Sequence, residues 1–171
     1  MVRGKTRWFA WTGALLLSAS LGFMAFQYLF APAGESAPDL RLQNLAGEEI
    51  RLSQLRGKTV VVNFWATWCQ PCVYEIPELA RFSESQRDRN VVVLGVAMDK
   101  NVDKVRDFVQ RFKVSYPIVI GDIATARLWQ VRGLPMTFII SPAGKVDRVI
   151  PGGITQAALE AAIRPRAGGA S

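Results

Sequence analysis

Cys69 and Cys72, the only cysteines in this 171-residue chain, stand two residues apart where an apolar run gives way to a helical pattern. The run, Thr59-Val-Val-Val-Asn-Phe64, is rich in β-branched residues and apolar at nearly every position, as expected of a strand buried on both faces. A helix follows from about Pro71 to Arg87. A CxxC pair at a strand-to-helix junction is a redox pattern with a physical basis. One helical turn brings both sulfurs together, so a disulfide can close. The unpaired first-turn N–H groups and the partial positive charge of the helix start favour a thiolate at Cys69. Pro71 costs little there, because first-turn N–H groups have no helical partner. The size of the effect matters. A thiol of pKa ~8.5 is about 3 % thiolate at pH 7, and one lowered to ~7 is half ionised. Cys69 is therefore expected to be the exposed, attacking sulfur, and Cys72, further into the helix, the buried resolving one. The alternative is a purely structural disulfide, but so small a loop constrains the unfolded chain little.

Composition narrows the chemistry further. The chain has no histidine, which removes Ser-His-Asp and Cys-His catalysis and imidazole metal sites. Two cysteines are too few for a four-cysteine zinc site or an iron–sulfur cluster, so neither a metal nor a cofactor is expected. The net charge of +7 reflects 21 basic and 14 acidic residues, and Arg3, Lys5 and Arg7 supply three of the positive charges. The remaining basic residues are scattered among acids, without the concentrated basic face that nucleic-acid binding needs.

Those three charges precede an uncharged apolar stretch of 23 residues, Trp8 to Phe30. As a helix it would reach roughly 34 Å, enough to cross a ~30 Å hydrocarbon layer. Trp8, Trp11 and Tyr28 sit near its ends, where aromatic residues meet the membrane interfaces. The positive-inside rule then leaves residues 1–7 in the cytoplasm and everything after the 8–30 signal anchor outside it. A cleaved signal peptide is the rival reading, with Ala31-Pro32-Ala33 as its cleavage site, although secretory apolar cores are shorter, about 7–15 residues. Residues 31–38 read as a proline-punctuated linker, 39–165 as the folded domain and 166–171 as a flexible tail.

Within the domain, Leu40–Leu45 and Glu49–Leu52 alternate around Ala46-Gly47 as a hairpin. Val91–Ala97 is a second buried strand. Val102, Val105, Phe108, Val109 and Phe112 recur at helical spacing. Pro117–Ile120 reads as a short strand and Ala124–Trp129 as a short helix. Met136–Ile140 and Val146–Ile150 flank the turn Ser141-Pro-Ala-Gly144. Thr155 can cap a last helix, Gln156–Ile163. Strands alternating with helices give an α/β sandwich with a mixed sheet. Glu75 lies one turn after Cys72, on the same side as the sulfurs. Buried, it could exchange a proton with Cys72; exposed, it would only stabilise the helix start. Pro77 is expected to kink the same helix.

Trp-Cys-Gln-Pro-Cys after an apolar strand, followed by Gly133-Leu-Pro135-Met-Thr-Phe138, resembles the thioredoxin superfamily. More narrowly, the domain is similar to the membrane-anchored TlpA/ResA/CcmG (DsbE) group of thiol–disulfide oxidoreductases. The N-terminal anchor, the Asn-Phe-Trp-Ala-Thr-Trp-Cys lead-in, Glu75 and Pro77 after the cysteines, and an extra segment from about Asp99 to Tyr116 select that branch. The resemblance implies a thioredoxin-like fold with a central mixed sheet flanked by helices, an N-terminal hairpin and a central insertion. It makes Cys69 the nucleophile, Cys72 the resolving thiol and Glu75 a buried acid/base. Pro135 matches the family's cis-proline, Leu134 would bond a bound peptide through its backbone, and Trp68 would wall one side of Cys69. Asn63 stands where cytoplasmic thioredoxins carry a buried aspartate, so Glu75 has to substitute for it. Met136 replaces the usual small or hydroxyl residue after the cis-proline.

The resemblance also implies a single-pass enzyme of the bacterial inner membrane with its catalytic domain on the periplasmic side. It would reduce disulfides in exported clients such as apocytochrome c, and would be re-reduced by a membrane electron donor of the DsbD/CcdA type. A disulfide oxidase or isomerase is the nearest alternative. Strong oxidants of this fold tend to carry histidine between the cysteines, where this chain has Gln70-Pro71. A peroxidase would need a Thr-x-x-Cys spacing, and Thr67 stands two residues before Cys69. A copper-chaperone module would pair CxxxC with a distant histidine, and the chain has neither.

Overall fold

In the computed structural model, residues 34–164 are described. They build two sheets and four α-helices. Strands β1 (Arg41–Gln43) and β2 (Glu49–Arg51) pair antiparallel, with a single 3₁₀ turn, Leu52–Leu55, after them. The side chain of Asn44 closes the hairpin by accepting the N–H groups of Ala46 and Glu48, both at 2.9 Å, and Gly47 supplies the positive φ of +85°.

The central sheet has the order β5-β4-β3-β6-β7. It comprises β3 (Thr59–Trp65), β4 (Val91–Ala97), β5 (Ile118–Ile120), β6 (Met136–Ile140) and β7 (Val146–Pro151). Strands β3, β4 and β5 run parallel, and β6 and β7 complete the sheet antiparallel. Parallel pairing requires crossovers, supplied by helices α1 (Gln70–Ser85) and α2 (Val102–Arg111). Helix α3 (Ile123–Leu128) joins β5 to β6, and α4 (Gln156–Ala162) follows β7. The thioredoxin-like α/β fold expected from the sequence is the one observed.

The period of two along β3 assigns its residues to two cores. Val61 and Trp65 face one core with Cys72, Ile76, Leu79 and Phe82 of α1, Phe108 of α2 and Leu159 of α4. Val60, Val62 and Phe64 face the other, with Leu40, Leu52, Trp129 and Phe138. Asn63 shares the parity of Val61 and Trp65, so the one polar residue inside the apolar run of β3 is directed at α1.

Capping follows side-chain chemistry. Asn101 accepts the Asp103 and Lys104 N–H groups, Asp122 accepts that of Thr125, and Thr155 accepts that of Ala158. Helix α1 runs through Pro77 as one element, so the expected kink leaves no break in it.

Residues 34–37, expected in a linker, are instead joined to the domain. Gly34 N–H donates to Val146 O at 2.7 Å, Val146 N–H to Glu35 O at 2.9 Å and Ala37 N–H to Gly144 O at 2.9 Å. Backbone pairing of this kind needs no side-chain pattern, so the sequence carries no sign of it. The anticipated membrane span, residues 8–30, lies outside the described residues, as do 1–7 and 166–171. Among the described residues no helix is long and apolar enough to cross a membrane.

The second core is organised around aromatic rings: Phe64 lies 5.6 Å from both Trp129 and Phe138, and the last two are 5.1 Å apart. Replacing Phe64 by alanine leaves a cavity against the Trp129 and Phe138 rings. Phe64→Ala is expected to lower the unfolding free energy by about 3–5 kcal/mol in urea titrations. A loss below ~1 kcal/mol would show that this face collapses to fill the gap.

Candidate active site

The strand β3 delivers the chain to the site and α1 begins there. Cys69 is the N-cap of α1, with extended backbone (φ −86°, ψ 105°). Its sulfur accepts the Cys72 N–H at 3.3 Å, the place usually taken by a Ser, Thr or Asp oxygen. The two cysteines form a disulfide, with Cα atoms 5.2 Å apart. Cys72 is wholly buried and Cys69 retains 6 % exposure. The order of burial matches the sequence reading, but Cys69 offers a narrower approach than "exposed" implied.

Glu75 points inward one turn later and is 2 % exposed. Its Oε1 accepts the Asn63 amide at 2.8 Å and its Oε2 accepts the Ile154 N–H at 3.2 Å. The same Asn63 nitrogen donates to Thr137 Oγ1 at 3.0 Å. Burial pushes the Glu75 carboxyl up from 4.5 to about 7, against the smaller opposing pull of the bonds from Asn63 and Ile154. Tyr116, also buried, has its hydroxyl pushed far up by burial and by the nearby Glu75 charge. The surface-glutamate alternative is thereby removed. The carboxyl sits in the same core as Cys72, at a pKa where it can both take and give a proton near neutrality.

The Leu134–Pro135 peptide is cis, as the resemblance implied. Pro135 is buried, Leu134 half-buried, and the Pro135 carbonyl accepts the Gly152 N–H at 2.9 Å. The next residue, Gly153, approaches the start of α1: a Cβ there would lie 4.0 Å from the Pro71 carbonyl oxygen. The cis-proline loop and the first turn of α1 are therefore bridged by the Gly152-Gly153 segment. Trp68 is 68 % exposed beside Cys69, and Tyr74 on α1 is 77 % exposed. Trp68 is thus a surface ring, available to a partner rather than a core-packing residue.

Sequence reasoning did not find Asn63 as the partner of Glu75, nor Thr137, Ile154 or Asp99. Asn63 carried a signal, since it is the single polar residue between the apolar positions of β3. Ile154 carried none, because its backbone does the work. Among the described residues no group of three or more His, Cys, Asp or Glu side chains could hold a metal ion.

Comparison with known proteins bears on the same segment. Residues 33–149 match the AhpC/TSA family. The thiol-disulfide oxidoreductase ResA of Bacillus subtilis is 35 % identical over 162 residues, covering 91 % of this chain and 90 % of its own. ResA of Geobacillus thermodenitrificans is 36 % identical over 148 residues, covering 83 % and 85 %. Among solved structures, a DsbE-like thiol:disulfide interchange protein of Chlorobium tepidum superposes with a TM-score of 0.73 at 28 % identity, over 78 % of this chain and 96 % of that one.

The raised pKa of Glu75 ties stability to pH. The folded state binds this proton more tightly than the unfolded chain. The stabilisation is complete below pH 4.5, declines as pH rises toward 7, and is lost above it. In the disulfide form the protein is expected to lose about 3 kcal/mol between pH 4.5 and 8 that Glu75→Gln does not lose. Urea unfolding of both proteins across that range measures it, and parallel curves would contradict the assignment.

Proposed function

The chain belongs to the AhpC/TSA family, among the ResA-type thiol-disulfide oxidoreductases, and from that premise we propose that it reduces disulfides of exported proteins outside the cytoplasm. The observation that carries this reading is the Cys69–Cys72 pair at the start of α1, with the Glu75 carboxyl buried behind it.

In the reduced protein, the Cys69 thiolate attacks one sulfur of a client disulfide, and the other client sulfur leaves as a thiolate that takes a proton from solvent. Cys72 then gives its proton to the Glu75 carboxylate and attacks Cys69 in the mixed disulfide. The second client sulfur leaves as a thiolate that takes a proton from solvent, and the Cys69–Cys72 disulfide closes. Two electrons pass to the client and none are left over. An extended client segment would meet Trp68 and Leu134, with Leu134 offering its backbone in strand fashion and the buried cis Pro135 fixing the direction of that backbone.

The apolar stretch 8–30, preceded by three positive charges, supports a single-pass anchor in the inner membrane with the domain on the periplasmic side. A fitting client is apocytochrome c before haem attachment. The oxidised enzyme then needs a membrane electron donor of the DsbD/CcdA type to restore the dithiol.

Equilibrating the full-length protein with redox buffers is expected to give one two-electron couple below roughly −200 mV. A value near −120 mV would make it an oxidant and contradict the reading. Cys72→Ser is expected to accumulate mixed disulfides with clients through Cys69, and Cys69→Ser to accumulate none. Glu75→Gln should slow release from the mixed disulfide by about tenfold or more at pH 7 in stopped-flow traces, without changing the first attack.

A further inference from the structure

A second buried carboxyl group reaches the strand-to-helix loop from another side. Asp99 lies two residues beyond the end of β4 and is 6 % exposed. Its Oδ2 accepts the Thr67 backbone N–H at 2.9 Å, and its Oδ1 accepts the Thr67 hydroxyl at 2.5 Å. Both oxygens thus engage one residue, and that residue stands midway between the last strand position, Trp65, and the helix cap, Cys69.

The two ends of the loop are anchored, Ala66 and Cys69 being buried in the core, while its middle, Thr67-Trp68, is not. At its strand end the Met98 N–H donates to Trp65 O at 2.8 Å, and at its helix end the Cys69 N–H donates to Ala66 O at 3.2 Å. Between these, Trp68 is 68 % exposed and brings no burial to hold the chain in place. The contact from Asp99 is made from the segment after β4, outside the loop, and a two-point grip on one residue fixes both its position and its orientation.

We propose that Asp99 is a positioning residue for the redox pair: by gripping Thr67 at two points it holds the Ala66–Cys69 loop in the register that keeps the Cys69 sulfur at the cap of α1, with Trp68 beside it. The inference rests on Cys69 being the attacking thiol, as under the proposed function. The chemistry of the grip separates it from the charge. Asparagine at 99 can reproduce both contacts, its carbonyl oxygen accepting the Thr67 N–H and its amide donating to the Thr67 hydroxyl oxygen. Alanine can make neither. Loss of a nearby negative charge lowers the pKa of a thiol, whereas loss of the cap geometry raises it, because the sulfur leaves the helix N–H groups. The other buried titratable groups on this side are Glu75, on α1 with Cys72, and Tyr116, in the same core cluster as both cysteines, and all variants leave both in place.

The test uses the reduced full-length protein, titrated by iodoacetamide alkylation with the adduct located by mass spectrometry, and steady-state reduction of a disulfide-linked fluorescent peptide. Urea unfolding confirms that each variant is folded. In Asp99→Asn the Cys69 pKa is expected to stay at or below the wild-type value, with kcat/KM within about twofold. In Asp99→Ala the pKa is expected to rise by about one unit and kcat/KM to fall about tenfold. Thr67→Val, which keeps the N–H contact and loses the hydroxyl one, should shift the pKa the same way by less, and Thr67→Ser should match the wild type. If Asp99→Ala does not fold, Thr67→Val carries the test, and a wild-type pKa there overturns the proposal. A pKa in Asp99→Ala that falls alongside Asp99→Asn, or does not move, overturns it as well. A wild-type adduct on Cys72 in place of Cys69 overturns the nucleophile assignment, and this inference with it.

Discussion

The hydrogen bond between Asn63 and Glu75 joins the parts of the molecule that the chemistry requires. Asn63 belongs to the central strand, Glu75 to the helix that carries the dithiol, Thr137 to the antiparallel side of the sheet, and Ile154 to the approach of the last helix. One amide nitrogen and one carboxyl therefore tie four segments together behind the sulfurs. An unpaired carboxylate in such a core would cost several kcal/mol. The arrangement reduces that cost in two ways: two donors solvate the carboxyl oxygens, and the group holds its proton up to about pH 7. A residue that is nearly neutral when buried and still able to ionise is suited to exchanging a proton with a thiol.

The same logic of local placement governs the sulfurs. A strand buried on both faces ends at Trp65 and a helix begins five residues later, so the first free N–H groups of that helix meet the cysteine at its cap. Cys69 thereby gains a hydrogen-bond donor from Cys72 while keeping a narrow exposure, and Cys72 is wholly buried. Two identical side chains thus differ in burial and hydrogen bonding by position alone, which is the basis of the proposed division between attack and resolution. The Asp99–Thr67 contact extends the division of labour outward: one carboxyl group lies behind the pair and another fixes the loop in front of it.

Much of this was legible in the chain. Strand β4 falls on the residues anticipated, Val91–Ala97, because a β-branched apolar run admits one reading, and the Thr155 cap of α4 lies where its hydroxyl signalled. The cysteine pair, the burial of Glu75 and the cis peptide before Pro135 were legible through motif and resemblance. What escaped were contacts between residues distant in sequence. Ile154 lies 79 positions from Glu75 and contributes only a backbone N–H, which no side-chain pattern encodes. Asp99 resembles any polar residue after a strand until the fold sets it against Thr67. The attachment of residues 34–37 to the 144–146 segment is backbone pairing again, hidden by a linker-like composition. The narrow exposure of Cys69 depends on packing around it, not on its place in the motif.

The proposed proton exchange behind the sulfurs depends most on the ionisation of one group, and a titration of Glu75 in the disulfide form tests it directly. Carbon-13 NMR of the glutamate carboxyl resonances, with Glu75→Gln identifying the signal, follows that proton without involving either sulfur. A midpoint at about 7 is predicted. A midpoint near 4.5 would show that the carboxyl is solvated as an ordinary surface glutamate and leave the dithiol without its buried proton partner.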